Sequence, residues 1–290
     1  MAVLGCLKES RIRFYILITA LLYVGSTFSQ KVQVHFHGAT VLSWKVAGKD
    51  VLFQSREAIY DNQAPIRAGI PIAFPHFGQW EAGPTHGFAR TSRWTLEEGP
   101  QKDSNGNATA VYSLVDNEET RQLWNHKFKL TYALVFGDTA FKTTLKVKNT
   151  GESTFNFTTL LHNYFRVDDI RSVTVSGMQG LEYIDKTRDF QRFTESRELL
   201  TVGEFVDSVY GNTPSSHIIK GINGGRTLHM EKENFPDTVV WNPWETMSPN
   251  FPDLGNEEYL SFVCVEAGHV VTPVTLMPGE EFTAVQTLTL

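Results

Sequence analysis

Past residue 30, apolar and polar residues alternate with the period of two that marks a half-buried β-strand. Val32, Val34 and Phe36 follow it, as do Leu130, Tyr132, Leu134 and Phe136, and then Phe141, Thr143, Leu145 and Val147. Residues 154–167 form a long β-rich run, 173–175 a short one, and 259–266 and 282–290 close the series. Gly, Pro, Asn and Asp break these runs at short intervals, as in the turn Asn149-Thr150-Gly151. No stripe of helical period extends beyond two or three turns, and residues 120–124 are read as one short turn. Many strands and few helices predict an all-β fold, a large antiparallel sandwich. No repeat or linker divides the chain, so residues 30–290 read as one domain.

Composition changes that picture little. The chain has 290 residues, 41% hydrophobic and 20% charged, enough apolar material for a large core. A net charge of −6 and no basic stripe argue against nucleic acid as a partner. The first 29 residues differ from the rest. Lys8, Arg11 and Arg13 precede an apolar run from Phe14 to Val24, then Gly25-Ser26-Thr27-Phe28-Ser29-Gln30. That is the order of a secretory signal peptide with a cut after Ser29, or else an atypical N-terminal segment on a cytosolic protein. The run is too short to span a bilayer comfortably, so no stable membrane span is expected. Cys6 and Cys264 offer no disulfide framework once the leader is removed. Asn107 and Asn156 match glycosylation triplets, the second within an expected strand.

One segment, 67–90, reads RAGIPIAFPHFGQWEAGPTHGFAR. It begins and ends on arginine, holds Glu81 as its one acid, and is otherwise apolar and turn-rich. A solvated loop would be more polar, and a core strand would avoid so many prolines. It suits a loop packed onto a sheet, holding Arg67 and Arg90 in place. Guanidinium groups capture phosphate or carboxylate in a bidentate manner and stay charged when partly buried. The plainer alternative is two surface arginines flanking a structural loop.

Other candidates emerge from the alternation. In residues 158–165, Leu160, His162 and Tyr164 fall on one face and Leu161, Asn163 and Phe165 on the other. A histidine among apolar neighbours is more often structural than chemical. In residues 260–266, Phe262, Cys264 and Glu266 share a face. A carboxylate closing such an apolar strand must be paired or hold its proton tightly, which suits a general base working near neutrality. Asp207, taken alone, reads as a loop acid before a short strand. His35 and His37 share a strand face but lack a third ligand at sensible spacing. Neither a phosphate-cradling glycine loop nor a nucleophile elbow is present.

RAGIPIAFPHFG, HGFAR, LLHNYFRV, EFVDSVY, VVWNPW and VCVEAG occur in that order. Together they resemble the glucose-6-phosphate 1-epimerase (hexose-6-phosphate mutarotase) branch of the aldose 1-epimerase superfamily, from about His37 to the C-terminus. The resemblance implies a galactose-mutarotase-like β-supersandwich and an isomerase that interconverts the anomers of hexose 6-phosphates. It implies His162 as general acid and Glu266 as general base. Arg67 and Arg90 become sugar-phosphate contacts and Asp207 a partner of sugar hydroxyls. Thr85, His86 and Trp241 fall in motifs that line the family's site. No cofactor or metal is required for that chemistry, and the implied protein is a cytoplasmic monomer acting on a small-molecule sugar phosphate.

Three departures stand against the family pattern. Ala68 replaces a glycine, which would cost about 1 kcal/mol if the backbone there had positive φ. Thr85 stands where Gln is common. The N-terminal segment replaces a first strand, which would leave a sheet edge uncovered. Two alternatives remain: an aldose 1-epimerase acting on free galactose or glucose, and a catalytically silent carbohydrate-binding sandwich.

Overall fold

In the computed structural model, residues 19–22, 31–104 and 106–290 are described. The cut after Ser29 and the basic residues 8, 11 and 13 lie outside them. The alternating segments form antiparallel strands. Phe128–Phe136 buries every second residue, as its pattern predicts, and Ala140–Asn149 pairs with it along its length. Nine strands make one large sheet and eight another, with a smaller four-stranded sheet beside them. Leu130, Leu145 and Leu288 of the first sheet and Leu161, Val263 and Val265 of the second belong to one buried apolar cluster. The two sheets therefore close on a shared core, as in a sandwich.

The eight-stranded sheet positions the site. From one edge its order is Gln191–Thr194, Glu182–Asp185, Val206–Tyr210, Asp237–Asn242, Phe262–Leu276, Phe155–Leu161 and Ile72–Ala73. Tyr164–Arg166 also pairs with Phe262–Leu276.

Four boundaries differ from the sequence pattern. Residues 154–167 are not one strand: His162 donates its N–H to the Pro71 carbonyl (2.9 Å) and Asn163 to that of Leu161 (2.9 Å), which breaks the ladder there. The strand expected at 259–266 begins at Phe262, because Glu258–Ser261 forms a 3₁₀ turn. The Glu258 carboxylate accepts from Ser55 Oγ (2.7 Å) and from the N–H groups of Arg56 (3.0 Å) and Gly255 (2.9 Å), which holds the chain bent. The short turn near 120 is the helix Glu118–Leu123, started by a reciprocal cap between Asn117 and Thr120. Finally, Thr19–Leu22 pairs with Lys31–His35, so that edge is covered by part of the apolar run 14–24.

Candidate active site

Four neighbouring strands present their side chains to one cavity of about 810 Å³. Asp207 comes from Val206–Tyr210, Trp241 from Asp237–Asn242, Glu266 from Phe262–Leu276, and His162 from the break after Phe155–Leu161. The alternation fixes which side chains face the cavity; pairing fixes which ones meet. Leu161 lies opposite Ala267 and Tyr164 opposite Cys264, so the same register sets His162 opposite Glu266. Their nearest atoms, His162 Nδ1 and Glu266 Oε1, are 3.1 Å apart.

That approach is not a hydrogen bond. Neither His162 Nδ1 nor either Glu266 oxygen has a protein hydrogen-bond partner, although both side chains are buried. Burial pushes His162 well below its usual 6.5, and the nearby Arg90, Arg67 and Lys186 add to the effect. Burial raises Glu266 well above 4.5, with Asp207 adding to it and Lys186 and Arg90 opposing. Both shifts disfavour the charged forms, the imidazolium and the carboxylate. The two groups form a coupled pair whose members face each other without being locked together.

The ring of His162 is fixed by stacking on Tyr164, centroids 4.6 Å apart at 3°, with Trp241 edge-on at 5.9 Å. His86 stands edge-on at 5.7 Å. Its own ring is clamped by the Gly78 N–H, which donates to Nδ1 (3.1 Å), so the neutral ring carries its proton on Nε2. His86 adopts φ 66° and Gly87 φ 72°. A Cβ on Gly87 would lie 2.1 Å from the Phe74 carbonyl oxygen, so this turn of HGFAR requires glycine.

Segment 67–90 packs onto the sheet at both ends, contributes the short strand Ile72–Ala73 and exposes Gln79, Glu81, Ala82 and Pro84 in its middle, and both arginines line the cavity. They differ in how they are held. Arg67 spends its guanidinium on the protein: Nε and Nη2 donate to Asp253 (3.2 and 2.9 Å) and Nη1 to the Tyr164 hydroxyl (3.1 Å). Its planar group also lies 4.7 Å from the Phe251 ring centre. Arg90 forms no ion pair among the described residues. Nη2 donates to the Thr85 carbonyl (2.7 Å), and the buried Nε has no protein partner. Burial and Arg67 lower Arg90 to about 10, which leaves it charged at neutral pH.

Ala68 is fully buried beside Leu42 and Ile66, and it is absent from the residues with positive φ, so alanine brings no backbone strain there. The Thr85 hydroxyl donates to Gln79 Oε1 (3.0 Å), which places a glutamine amide on the cavity wall after all. All eight residues singled out in the sequence, Arg67, Thr85, His86, Arg90, His162, Asp207, Trp241 and Glu266, line this cavity.

Sequence reasoning missed Lys186, Asp253 and Gln79. Lys186 Nζ is 3.0 Å from Asp207 Oδ2 and 5.1 Å from the Phe77 ring centre. Nothing in the stretch around it marks a site lysine, and Asp253 gains its meaning only from Arg67. Tyr164 was visible as a residue sharing the His162 face, without a role. His35 and His37 lie elsewhere; the His37 N–H donates to His35 Nδ1 (3.1 Å) and His37 Nε2 contacts the Ala64 carbonyl (2.9 Å).

His162, Cys264 and Glu266 bring one possible metal-ligand atom each within 4.8 Å of one another. A four-coordinate zinc holds its N, O and S ligands about 3.3–3.8 Å apart. The separations among the three reach up to 4.8 Å, although His162 and Glu266 already approach to 3.1 Å.

The sequence model of the aldose 1-epimerase family matches residues 26–289. The chain belongs to the aldose 1-epimerase family. It is, with that family, an isomerase of the epimerase class. A protein of Cenchrus ciliaris named "Putative glucose-6-phosphate 1-epimerase" is 35% identical over 257 residues, 86% of this chain and 78% of the relative. One of the same name from Escherichia coli K12 is 34% identical over 242 residues, covering 82% and 80%. The crystal structure of a "putative mutarotase (YeaD)" from Salmonella typhimurium superimposes with a TM-score of 0.82 at 30% identity, over 90% of this chain and 86% of that one. The galactose 1-epimerase of Lactobacillus acidophilus shares the fold alone, with a TM-score of 0.67 at 14% identity over 91% and 92%. Within this epimerase family member the expected all-β, galactose-mutarotase-like supersandwich is the observed architecture. Among the described residues no helix is long and apolar enough to cross a membrane.

Proposed function

We propose that this enzyme interconverts the α and β anomers of hexose 6-phosphates, glucose 6-phosphate among them. The observation that carries the reading is the buried His162–Glu266 pair, 3.1 Å apart and without protein hydrogen bonds, in a cavity also lined by Arg67, Arg90 and Lys186. Anomerisation needs a proton delivered to the ring oxygen and another removed from the anomeric hydroxyl. Glu266 takes the hydroxyl proton and His162, protonated, donates to the ring oxygen. The bond from C1 to the ring oxygen breaks and leaves the aldehyde. Rotation about C1–C2 presents the other carbonyl face. On closure His162 recovers its proton from the hydroxyl and Glu266 returns its own to the former carbonyl oxygen, so the protein ends as it began.

Burial disfavours the charged forms of both groups. The substrate supplies what opposes this: a hydroxyl hydrogen bond to the carboxylate and a ring oxygen accepting from the imidazolium both favour the charged forms. Each positioned group contributes about 10²–10⁴-fold.

Of the three cations, Arg90 is the one with no carboxylate partner, and it is the proposed main anchor for the 6-phosphate. Arg67, already paired with Asp253, supports Tyr164 and the wall behind His162 and adds to the positive field. Asp207, held by Lys186, is placed to accept from sugar hydroxyls. Binding energy at the phosphate then positions a reacting carbon that the arginines never touch. The resemblance supports a cytoplasmic monomer whose partner is a small sugar phosphate. The rival secretory reading rests on residues 8–29, which fall mostly outside the described part of the chain.

NMR exchange of the anomers of glucose 6-phosphate, with free glucose and galactose in parallel, tests the reading. Acceleration confined to the phosphorylated sugar is the expected result. Acceleration of free sugars alone would replace it with a general aldose epimerase, and none from folded protein with a silent binding module.

A further inference from the structure

The loop between Glu182–Asp185 and Gln191–Thr194 forms part of the cavity wall that the proton chemistry leaves unused. It opens with the 3₁₀ turn Lys186–Arg188, and Asp189 and Phe190 follow with φ 52° and 60°. Aspartate tolerates the left-handed region; for a bulky aromatic it is a true outlier. Polar contacts hold the turn that leads into it. Asp185 accepts from the backbone N–H and the hydroxyl of Thr187 (2.9 and 2.6 Å), and Arg188 pairs with Asp185 and Glu204 (3.4 and 3.6 Å). The Arg188 guanidinium also lies 5.4 Å from the Phe193 ring centre.

Strain of this kind is usually offset by burying the side chain, and here it is not. Phe190 is 66% exposed, the most exposed large hydrophobic residue among those described. Its position is nevertheless particular: it lines the mouth of the active-site cavity, together with the partly exposed Val271. A left-handed backbone that displays an unburied ring at a cavity entrance matches the pattern of strain held at ligand clamps.

We infer that Phe190 is a substrate-binding platform whose ring covers the C–H face of the pyranose in the cavity. The electron-rich face of an aromatic ring attracts weakly positive C–H groups, and an exposed ring loses water contact when a sugar packs on it. The platform grips the sugar ring itself. Its contribution is therefore the same for free and phosphorylated hexoses, unlike that of Arg90. This inference rests on the reading that the cavity takes a hexose phosphate.

The test compares the full-length protein with Phe190→Gly and Phe190→Tyr in the three-sugar exchange assay, alongside thermal unfolding. Glycine is at ease at φ 60°, so Phe190→Gly should unfold at the wild-type temperature or above it while KM rises about tenfold with kcat little changed. KM for any free sugar that the wild type turns over should rise by the same factor, and Phe190→Tyr should restore the wild-type KM. An unchanged KM in a folded Phe190→Gly overturns the platform while leaving the hexose-phosphate reading intact. A lowered unfolding temperature with a proportional loss of kcat assigns Phe190 a packing role and also overturns it. A wild type that accelerates none of the three sugars overturns the hexose-phosphate reading and this inference together.

Discussion

Two buried polar pairs sit back to back on the same stretch of chain. On the core side, Asn163 and Gln286 exchange amide hydrogen bonds (2.7 and 3.1 Å), and Asn163 also donates to the Val265 carbonyl (2.9 Å). On the cavity side, the adjacent residue His162 faces Glu266 across 3.1 Å with no hydrogen bond to hold either. Both pairs are hidden from solvent and both lie at the break after Leu161. In the first each amide has hydrogen-bond partners, and the exchange joins the two large sheets at little net cost. The second leaves its polar atoms unanswered, which costs stability and keeps them free for a ligand. Burial without satisfaction also occurs away from the cavity, at Trp44 Nε1 and the Tyr112 and Tyr132 hydroxyls, so what sets the second pair apart is that its unanswered atoms face a cavity.

The sharpest way to break this comparison is to remove the unsatisfied pair. Glu266→Gln should cut anomerisation by about 10³-fold or more while sugar-phosphate binding, followed by calorimetry, persists. Retention of a tenth of the rate would dismiss Glu266 as the base. Arg90→Ala comes next, raising KM for glucose 6-phosphate by about 10–100-fold and leaving any turnover of free sugars that the wild type shows unchanged. Arg67→Ala should act differently, lowering stability as well, because it strands Asp253 in a buried site. Equal losses on both kinds of sugar would sink the phosphate anchor.

On the satisfied side, Asn163→Ala should cost about 2–3 kcal/mol in urea unfolding, since the Gln286 amide would be left buried and unpaired. Adding Gln286→Leu should recover part of that loss, which no repair of the cavity-side pair could mimic.

Smaller effects appear against pH. The folded pKa of Glu266 is raised, so its contribution to stability is full below 4.5 and is lost as pH climbs through the raised value. Glu266→Gln cannot titrate, and its stability relative to wild type should improve as pH rises above 4.5. His162 is shifted the other way. Its contribution is full above 6.5 and is lost as pH falls through the depressed value, so His162→Gln should flatten the acid side instead. A stability difference that does not move with pH would mean these groups titrate normally. The smallest change is Ala68→Gly. Restoring the glycine common in the family should lower stability by about 0.5–1 kcal/mol without raising activity, because Ala68 is packed and its φ is unstrained.

How far the sequence carried depended on the range of the interaction involved. The faces of His162 and Glu266 were legible because alternation along a strand is local stereochemistry. The packing of 67–90 at its two ends was legible because so apolar a composition does not suit solvent. The strand ends were not, since the turn at Glu258 depends on hydrogen bonds from Ser55 and Arg56, some two hundred positions away. Lys186 escaped notice for the same reason: its identity as a site residue lies in Asp207, on another strand.

The sequence alone determined that this is an all-β epimerase-family chain and which eight side chains to watch, because strand periodicity and ordered motifs are written along the chain. Tertiary structure decided their relations. Sheet order and register set His162 against Glu266, Asp253 took up Arg67 while Arg90 has no carboxylate partner among the described residues, and a strained loop brought Phe190 to the cavity mouth. Such pairings belong to distances between remote segments, which no local pattern encodes.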